Sequence, residues 1–298
     1  MKNKKNFITR VITGLCLMLI LIPAVIVGGI YFLMISILLA IIGTYELMNM
    51  FYKKHDNLKI MRYIIPLFSG LTVLGFYLEM NYSIHYAIII PVVLGIIISM
   101  SFGVFKDGTT GNDILACITS LIYGGLLLGC AVSVEYLDPI QKVGKELEVT
   151  TGRMFAYLYS IVACTDIFAY LFGSMFGKHK LCEKISPKKS VEGAVAGLIC
   201  GAAVGTVIAL CLKVVPFNYI EGAVNKIFVI LGVFGVSLLI SATVQVGDLV
   251  ASKLKRSYEI KDYGFIFPGH GGVMDRFDSL IFSGALFFII MQLVYIFL

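Results

Sequence analysis

Nine apolar runs constrain the fold of this chain more than any other feature of its sequence. A membrane-spanning helix needs about 20 predominantly apolar residues, because the hydrocarbon core of a bilayer is about 30 Å thick. Only 14% of the 298 residues are charged and 59% are hydrophobic, whereas about 25% of residues are charged in ordinary soluble domains. We therefore expect an all-α, polytopic integral membrane protein with about nine transmembrane helices. The runs lie at about 11–27, 29–50, 60–78, 86–104, 113–134, 154–174, 191–212, 226–247 and 277–297.

The basic residues are concentrated on one side of these predicted helices. With a cytoplasmic N-terminus, the outer side holds 5 of the 24 basic residues and the cytoplasmic side holds the other 19, as the positive-inside rule requires. The five are Lys142, Lys145, Arg153, Lys213 and Lys226. We expect one membrane-embedded domain over 1–298, with N-terminal helices at 1–134, a second group of helices and cytoplasmic loops at 154–298, and a solvated outer connector at about 135–152.

Polar residues are concentrated between the last two apolar runs. Asp248, Ser252, Lys255 and Arg256 are spaced i, i+4, i+7 and i+8, so they share one face if the preceding helix continues through them. Asp275 and Asp278 are spaced i, i+3, which would place two carboxylates on one side of the first turn of the last helix. A helix that begins there would direct both carboxylates toward one cation.

The connecting loop has the composition of a phosphate site. Pro268 and Gly269 break the chain, while Gly271 and Gly272 allow close backbone approach and N–H groups that face an anion. Mg²⁺ is usually held by one or two carboxylates and substrate phosphate oxygens, and the surrounding basic residues would neutralise phosphate charge. The alternative is a solvated loop whose charges follow membrane topology and whose aspartates cap a helix.

Three segments of this stretch resemble the signature of the phosphatidate cytidylyltransferases, also called CDP-diacylglycerol synthases. They are Ser252-x-Leu254-Lys255-Arg256, Lys261-Asp262-x-Gly264 and His270-Gly271-Gly272-x-x-Asp275-Arg276-x-Asp278. The resemblance implies transfer of a cytidylyl group from CTP to phosphatidate, which gives CDP-diacylglycerol and pyrophosphate in phospholipid biosynthesis. It also implies Mg²⁺, with a second cation such as K⁺ left open, and a homodimer in the membrane.

The resemblance extends to two segments upstream. Asp166 lies within an apolar run, where an ionisable group costs at least about 2.5 kcal/mol and is a candidate functional residue. The alternative is an interhelical hydrogen-bond partner. Members of the family usually carry small residues directly after this Asp, whereas this chain has Ile167 and Phe168. The second segment, 186–193, has the family's Ser-Pro-Lys-Lys-Ser-x-Glu-Gly element, in which Ser190 is a predicted N-cap.

The predicted site residues follow from the motifs and the resemblance together. The predicted metal ligands are Asp248, Asp275 and Asp278, and Lys255 and Arg256 complete the predicted catalytic group. The predicted substrate-binding residues are Ser252, Lys261, Asp262, His270, Gly271, Gly272, Arg276, Asp166, Ser186, Lys188 and Lys189. They would face the cytoplasm, because CTP arrives there, and a bacterial plasma membrane is the expected location. No nucleic-acid partner is expected.

One assignment stays open, and three alternative functions are less consistent with the sequence. Glu46, at the end of the second apolar run, either lines the site or sits at the membrane interface. A transporter would need several ionisable residues at the bilayer midplane, and only Asp166 qualifies. A CDP-alcohol phosphotransferase would need an Asp-Gly-x-x-Ala-Arg run, which the sequence does not contain. A catalytically silent relative is disfavoured because all three candidate carboxylates are present.

Overall fold

The computed structural model describes residues 2–137, 152–215 and 222–297. The connector predicted at about 135–152 lies, apart from its ends, outside these ranges. The described elements, in chain order, are α1 (Lys2–Val27), α2 (Gly29–Tyr52), α3 (Met61–Tyr82), α4 (Ile89–Phe105), α5 (Gly111–Leu121), a π-helical segment (Ile122–Leu127), α6 (Leu128–Ser133), α7 (Arg153–Phe176), β1 (Lys180–Cys182), β2 (Ser186–Ser190), α8 (Val191–Cys211), α9 (Ala223–Ser257) and α10 (Met274–Phe297). Two single-turn 3₁₀ helices, Asp56–Lys59 and Val134–Tyr136, complete the set.

The helices confirm an all-α, polytopic membrane protein. Within the described ranges, seven helices are long and apolar enough to cross a membrane, the continuous segment Gly111–Tyr136 counting as one of them. Two further apolar helices, Thr13–Val27 and Ile89–Phe105, are shorter and coincide with the first and fourth predicted spans. The count of nine spans and the cytoplasmic N-terminus stay predictions.

The chain forms two compact units, which are described separately. Unit 1 contains Met1–Tyr136 and Leu254–Asp278, and unit 2 contains Leu137–Lys253 and Ser279–Leu298. The last turn of α9 and the first turn of α10 therefore belong to unit 1, together with the loop that joins these helices.

Unit 1 is a bundle in which helix backbones approach closely. Gly70 of α3 lies against Ile37 and Ile41 of α2, and a Cβ at position 70 would come within 2.9 Å of the Ile41 side chain. Gly124 and Gly125 of the π-helical segment are similarly close to α2 and α3. The loop after α9 is tied to α1, because the Thr13 hydroxyl donates a hydrogen bond to the Pro268 carbonyl at 3.1 Å.

Unit 2 is organised around the contact between α7 and α8. Four glycines at four-residue spacing line one side of α8, and a Cβ on any of them would meet α7 within 2.8 Å. Small residues at this spacing let membrane helices pack backbone to backbone. The four glycines, called the glycine stripe below, are Gly193, Gly197, Gly201 and Gly205.

Helix α9 is joined to the α7–α8 pair by buried polar contacts. The hydroxyls of Tyr157 and Ser237 lie 2.7 Å apart, as do those of Thr165 and Ser241. With 35 residues, α9 is about 50 Å long and extends past its apolar portion. The helix therefore continues through the polar residues Asp248–Arg256, which meets the condition under which they share one face.

Candidate active site

The polar residues of unit 1 converge on one lysine. Lys255 Nζ donates a hydrogen bond to Asp275 Oδ1 at 2.8 Å and lies 3.9 Å from Asp278 Oδ2. The three side chains are buried, with exposed fractions of 12% for Lys255, 2% for Asp275 and 12% for Asp278. They are called the Lys255 cluster below. Because α10 begins at Met274, both aspartates lie in its first turns, as their spacing predicted.

Asp275 also fastens the loop to the start of α10. Its second oxygen, Oδ2, accepts hydrogen bonds from the backbone N–H groups of Tyr263 at 2.8 Å and Gly272 at 3.0 Å. Gly271 adopts a φ of 85°, and a Cβ there would come within 2.8 Å of Oδ2. Glycine therefore permits both the left-handed backbone conformation and the close approach of the carboxylate.

Tyr263 forms one wall of the Lys255 cluster. Lys255 Nζ lies 5.1 Å from the centre of the buried Tyr263 ring, a separation typical of a cation–π contact. Burial raises the pKa of the Tyr263 phenol, and the negative charges of Asp278 and Asp275 raise it further. The phenol is therefore neutral at physiological pH, and Lys255 supplies the positive charge beside the two carboxylates.

A second cluster lies in unit 2. Lys189 Nζ forms an ion pair with Asp248 Oδ2, while Asp248 Oδ1 accepts a hydrogen bond from the Ser252 hydroxyl at 3.3 Å. Asp166 of α7 lies within electrostatic range of both charged partners. These four residues are called the Lys189 cluster below. Its ion pair is more open than that of the Lys255 cluster, with 30% of the Lys189 side chain and 29% of Asp248 exposed.

The β1–β2 hairpin delivers Lys189 to this position. The strands pair antiparallel, with Lys180 opposite Ser190 and Cys182 opposite Ser186. Ser190 caps α8 by accepting a hydrogen bond from the Gly193 N–H at 3.2 Å, as predicted, so Lys189 is fixed directly before the helix. Ser186 is half-buried and Lys188 is exposed on the same strand.

The remaining predicted site residues are more open. Arg256, Lys261 and Arg276 are exposed, and Asp262 is half-buried. His270, also half-buried, lies in a tight turn where its N–H donates to the Phe267 carbonyl at 2.8 Å.

The donor chemistry of both clusters suits a divalent cation. Mg²⁺ is held by one or two carboxylates together with phosphate oxygens. The Lys255 cluster supplies two carboxylates, and the Lys189 cluster supplies that of Asp248, with Asp166 within electrostatic range. In the Lys255 cluster, the protein already places a cationic group between Asp275 and Asp278, which shows that this position suits positive charge. In the part of the chain that the structure describes, no group of three or more His, Cys, Asp or Glu side chains could hold a metal ion.

Sequence reasoning left Glu46 open between a role in lining the site and a position at the membrane interface. Its side chain is 4% exposed, and its Oε2 accepts a hydrogen bond from the Met274 N–H, 228 residues away, at 3.0 Å. The available signals were a carboxylate within an apolar run and the glycines of the loop. Neither signal indicates that Glu46 contacts the loop between α9 and α10, because the two segments are far apart in the chain.

An all-helical membrane protein with paired lysines and carboxylates beside a glycine-rich loop has the features of an enzyme that handles phosphate groups at a membrane. The sequence profile of the Cytidylyltransferase family matches residues 8–294. The chain is 32% identical over 280 residues to the phosphatidate cytidylyltransferase of Staphylococcus saprophyticus, covering 92% of this chain and 94% of that protein. It is 31% identical over 273 residues to the Staphylococcus aureus (strain COL) protein of the same name, with the same coverage. The chain therefore belongs to the Cytidylyltransferase family.

Proposed function

We propose that this protein is a phosphatidate cytidylyltransferase, which transfers the cytidylyl group of CTP to phosphatidate and releases pyrophosphate. The observation that carries the proposal is the buried Lys255 cluster beside the glycine-rich loop. The family match and the names of the staphylococcal relatives support the same activity.

The chemistry requires positioning more than a strong base. An oxygen of the lipid phosphate is already an anionic nucleophile. It attacks the α-phosphorus of CTP, a new P–O bond forms, and the bond to the β-phosphate oxygen breaks with its electron pair leaving on pyrophosphate. Alignment of the two substrates and neutralisation of their negative charges account for catalysis of this kind.

The metal assignment is part of the proposal. Asp275 and Asp278 of unit 1 would hold Mg²⁺ together with substrate phosphate oxygens. Asp248 is the third ligand that the sequence motifs propose, and a second cation such as K⁺ is a further element of the proposed site. When bound, the metal supplies positive charge that reduces repulsion between the nucleotide and the lipid phosphate.

The basic residues and the loop would bind the substrates. Lys255 and Arg256 would neutralise charge on the phosphates, and the backbone at Gly271 and Gly272 would allow a phosphate oxygen to approach closely. The other residues proposed to contact the substrates at this end of the chain are Ser252, Lys261, Asp262, His270 and Arg276.

The Lys189 cluster would complete substrate binding. Lys188 is exposed and Lys189 is only partly covered, so both can reach an anionic head group. Ser186 would add a hydroxyl donor on the same strand, and Asp166 would position polar groups in the cavity that receives the lipid. The acyl chains would enter sideways between helices.

The proposed setting is a bacterial plasma membrane with the site facing the cytoplasm, where CTP is present. A homodimer is the proposed assembly. Transport is not favoured, because Asp166 is the one residue of the two clusters that lies in the middle of an apolar helix, whereas a transporter would need several ionisable residues at that depth.

The direct test is pyrophosphate release from CTP by the purified protein in detergent, with and without phosphatidate and with Mg²⁺ present or chelated. Release that requires both the lipid and Mg²⁺ is the expected result. Absence of release from a folded, lipid-supplemented sample would contradict the proposal. Release without phosphatidate would contradict the assigned acceptor.

A further inference from the structure

Glu46 of α2 lies against the start of α10, outside the residues proposed to touch substrate. Its Oε2 accepts a hydrogen bond from the Met274 N–H at 3.0 Å. The first N–H groups of a helix have no partner within the helix, and a negative charge there is favoured by the helix dipole. Glu46 therefore caps α10 from another helix.

The same carboxylate fixes the path of the loop. A Cβ on either Gly264 or Gly272 would overlap the Glu46 carboxylate, so the loop backbone passes directly over it at both points. The other oxygen of Glu46, Oε1, is buried without a hydrogen-bond partner in the described part of the chain. A buried, incompletely paired carboxylate costs free energy, so stability alone does not account for a carboxylate at this position.

The loop residues that touch Glu46 are those that hold the Lys255 cluster. The Gly272 N–H donates to Asp275, and Asp275 in turn accepts the hydrogen bond from Lys255. Glu46 and Asp275 thus both contact the short backbone segment around Gly272. A shift of this segment would move Asp275 and, through it, the Lys255 ammonium.

Helix α2 also holds the end of α9. Lys54 Nζ donates to the Ser257 carbonyl at 3.0 Å, which places a positive charge at the helix C-terminus, and the rings of Phe51 and Tyr258 pack edge to face at 5.0 Å. Lys54 lies in the turn that follows α2, two residues after the helix ends at Tyr52. The C-terminal part of α2 and this turn therefore contact both helix termini that carry the Lys255 cluster.

We propose that Glu46 is a positioning residue for the cytidylyl transfer reaction, acting through the backbone of Gly272 and Met274 on Asp275 and Lys255. The inference rests on the proposed function for its kinetic consequence. Its structural consequence, the contribution of the Glu46 carboxylate to holding the loop in place, is independent of that function.

The test compares Glu46→Gln with the matched control Glu79→Gln. Glu79 lies on α3 of the same unit and also accepts a backbone N–H, from Ile88 at 3.5 Å, but it does not contact the loop between α9 and α10. Since misplacement of a reacting group by about 1 Å can cost about 100-fold in rate, we expect Glu46→Gln to lower kcat by about 10- to 100-fold. The KM for CTP should change by less than about threefold, because uniform binding is retained. Glu79→Gln should leave both values unchanged.

Amide hydrogen exchange of the segment containing Gly272 and Met274 provides a readout that does not depend on activity. Glu46→Gln should exchange these amides about tenfold faster than Glu79→Gln, since a neutral amide oxygen is a weaker acceptor than a carboxylate and does not supply the negative charge that favours a helix N-terminus. Unchanged exchange would overturn the inference, as would a kcat that falls only in proportion to the folded fraction. If the wild-type protein shows no transfer, the proposed function fails while the exchange result still decides the role of Glu46. Glu46→Ala should exaggerate both effects, and Glu46→Gln keeps the side-chain shape if the alanine variant does not fold.

Discussion

The Lys255 cluster and the Lys189 cluster contain the same chemical groups, a lysine beside aspartates, but they are held in different ways. In the Lys255 cluster the aspartates are buried, and one of them accepts two backbone N–H groups in addition to the lysine. In the Lys189 cluster the partners are about 30% exposed, and the additional contact is a single hydroxyl. Backbone N–H donors have no rotamers, so the fold fixes the positions of the side chains in the Lys255 cluster. The side chains of the Lys189 cluster can change rotamer when a ligand binds.

The largest expected effect concerns the carboxylate of Asp278. Asp278→Asn keeps the shape of the side chain and removes its charge, so we expect a folded protein with a loss of turnover of at least about 100-fold, the range seen when one electrostatic contact to a transition state is removed. Pyrophosphate release per folded molecule is the measurement, with the exposed Asp107 changed to Asn as the control. Near-normal activity in a folded Asp278→Asn protein would remove Asp278 from the metal site.

The second prediction compares how much the lysine of each cluster contributes to the free energy of unfolding. Lys255→Met leaves two buried carboxylates without their cation, and breaking a buried pair in this way costs about 3–5 kcal/mol. Lys189→Met should cost no more than about 1 kcal/mol, because its pair is partly solvated. Both values are free energies of unfolding in detergent, with the exposed Lys59→Met as the reference. Equal losses in the two variants would mean that burial does not distinguish the clusters.

A third prediction concerns the packing that supports the Lys189 cluster. A Cβ at Gly197 would lie 2.8 Å from the Ala169 Cβ, so Gly197→Ala should destabilise unit 2 by about 1–3 kcal/mol through overpacking. The control is Gly235→Ala in α9, where nothing lies within 4 Å and alanine should stabilise the helix by up to about 1 kcal/mol. Thermal unfolding of both variants provides the comparison, and a neutral Gly197→Ala would show that α7 and α8 are free to separate.

The smallest expected effect is that of Ser252→Ala. The hydroxyl of Ser252 donates one hydrogen bond to Asp248, and a bond of this kind contributes about 0.5–1.5 kcal/mol. The variant should therefore lose about 3- to 10-fold in kcat/KM for CTP. A loss of about 100-fold or more would instead indicate that the hydroxyl contacts the reacting groups directly.

Features that depend on neighbouring residues were predictable from the sequence. Hydrophobic runs and spacing predicted the long apolar helices and the start of α10 near Asp275 and Asp278, and they left the continuation of α9 through Asp248 and Arg256 as a condition that the structure meets. The cap at Ser190 was equally local. Each depends on contacts within one or two helical turns, where the periodicity of the chain fixes which side chains meet.

Features that depend on tertiary contact were not predictable in the same way. The sequence contains Glu46, the loop glycines and Tyr263, but it does not show that a carboxylate of α2 would cap α10 or that Tyr263 would be buried beside Lys255. The pairing of Lys189 with Asp248 joins residues of a hairpin and a distant helix. The four-residue spacing of glycines in α8 was visible in the sequence, whereas its partner face on α7 was not.

The glycine stripe has a thermodynamic consequence. A glycine has no side-chain rotamers to lose, whereas ordering a long side chain costs up to about 1.5–2 kcal/mol. When α7 and α8 pack together, the four glycines of α8 therefore lose almost no side-chain entropy. At Gly201 the α7 partner is the side chain of Thr165, so the residue directly before Asp166 packs against a position that has no rotamers to exchange.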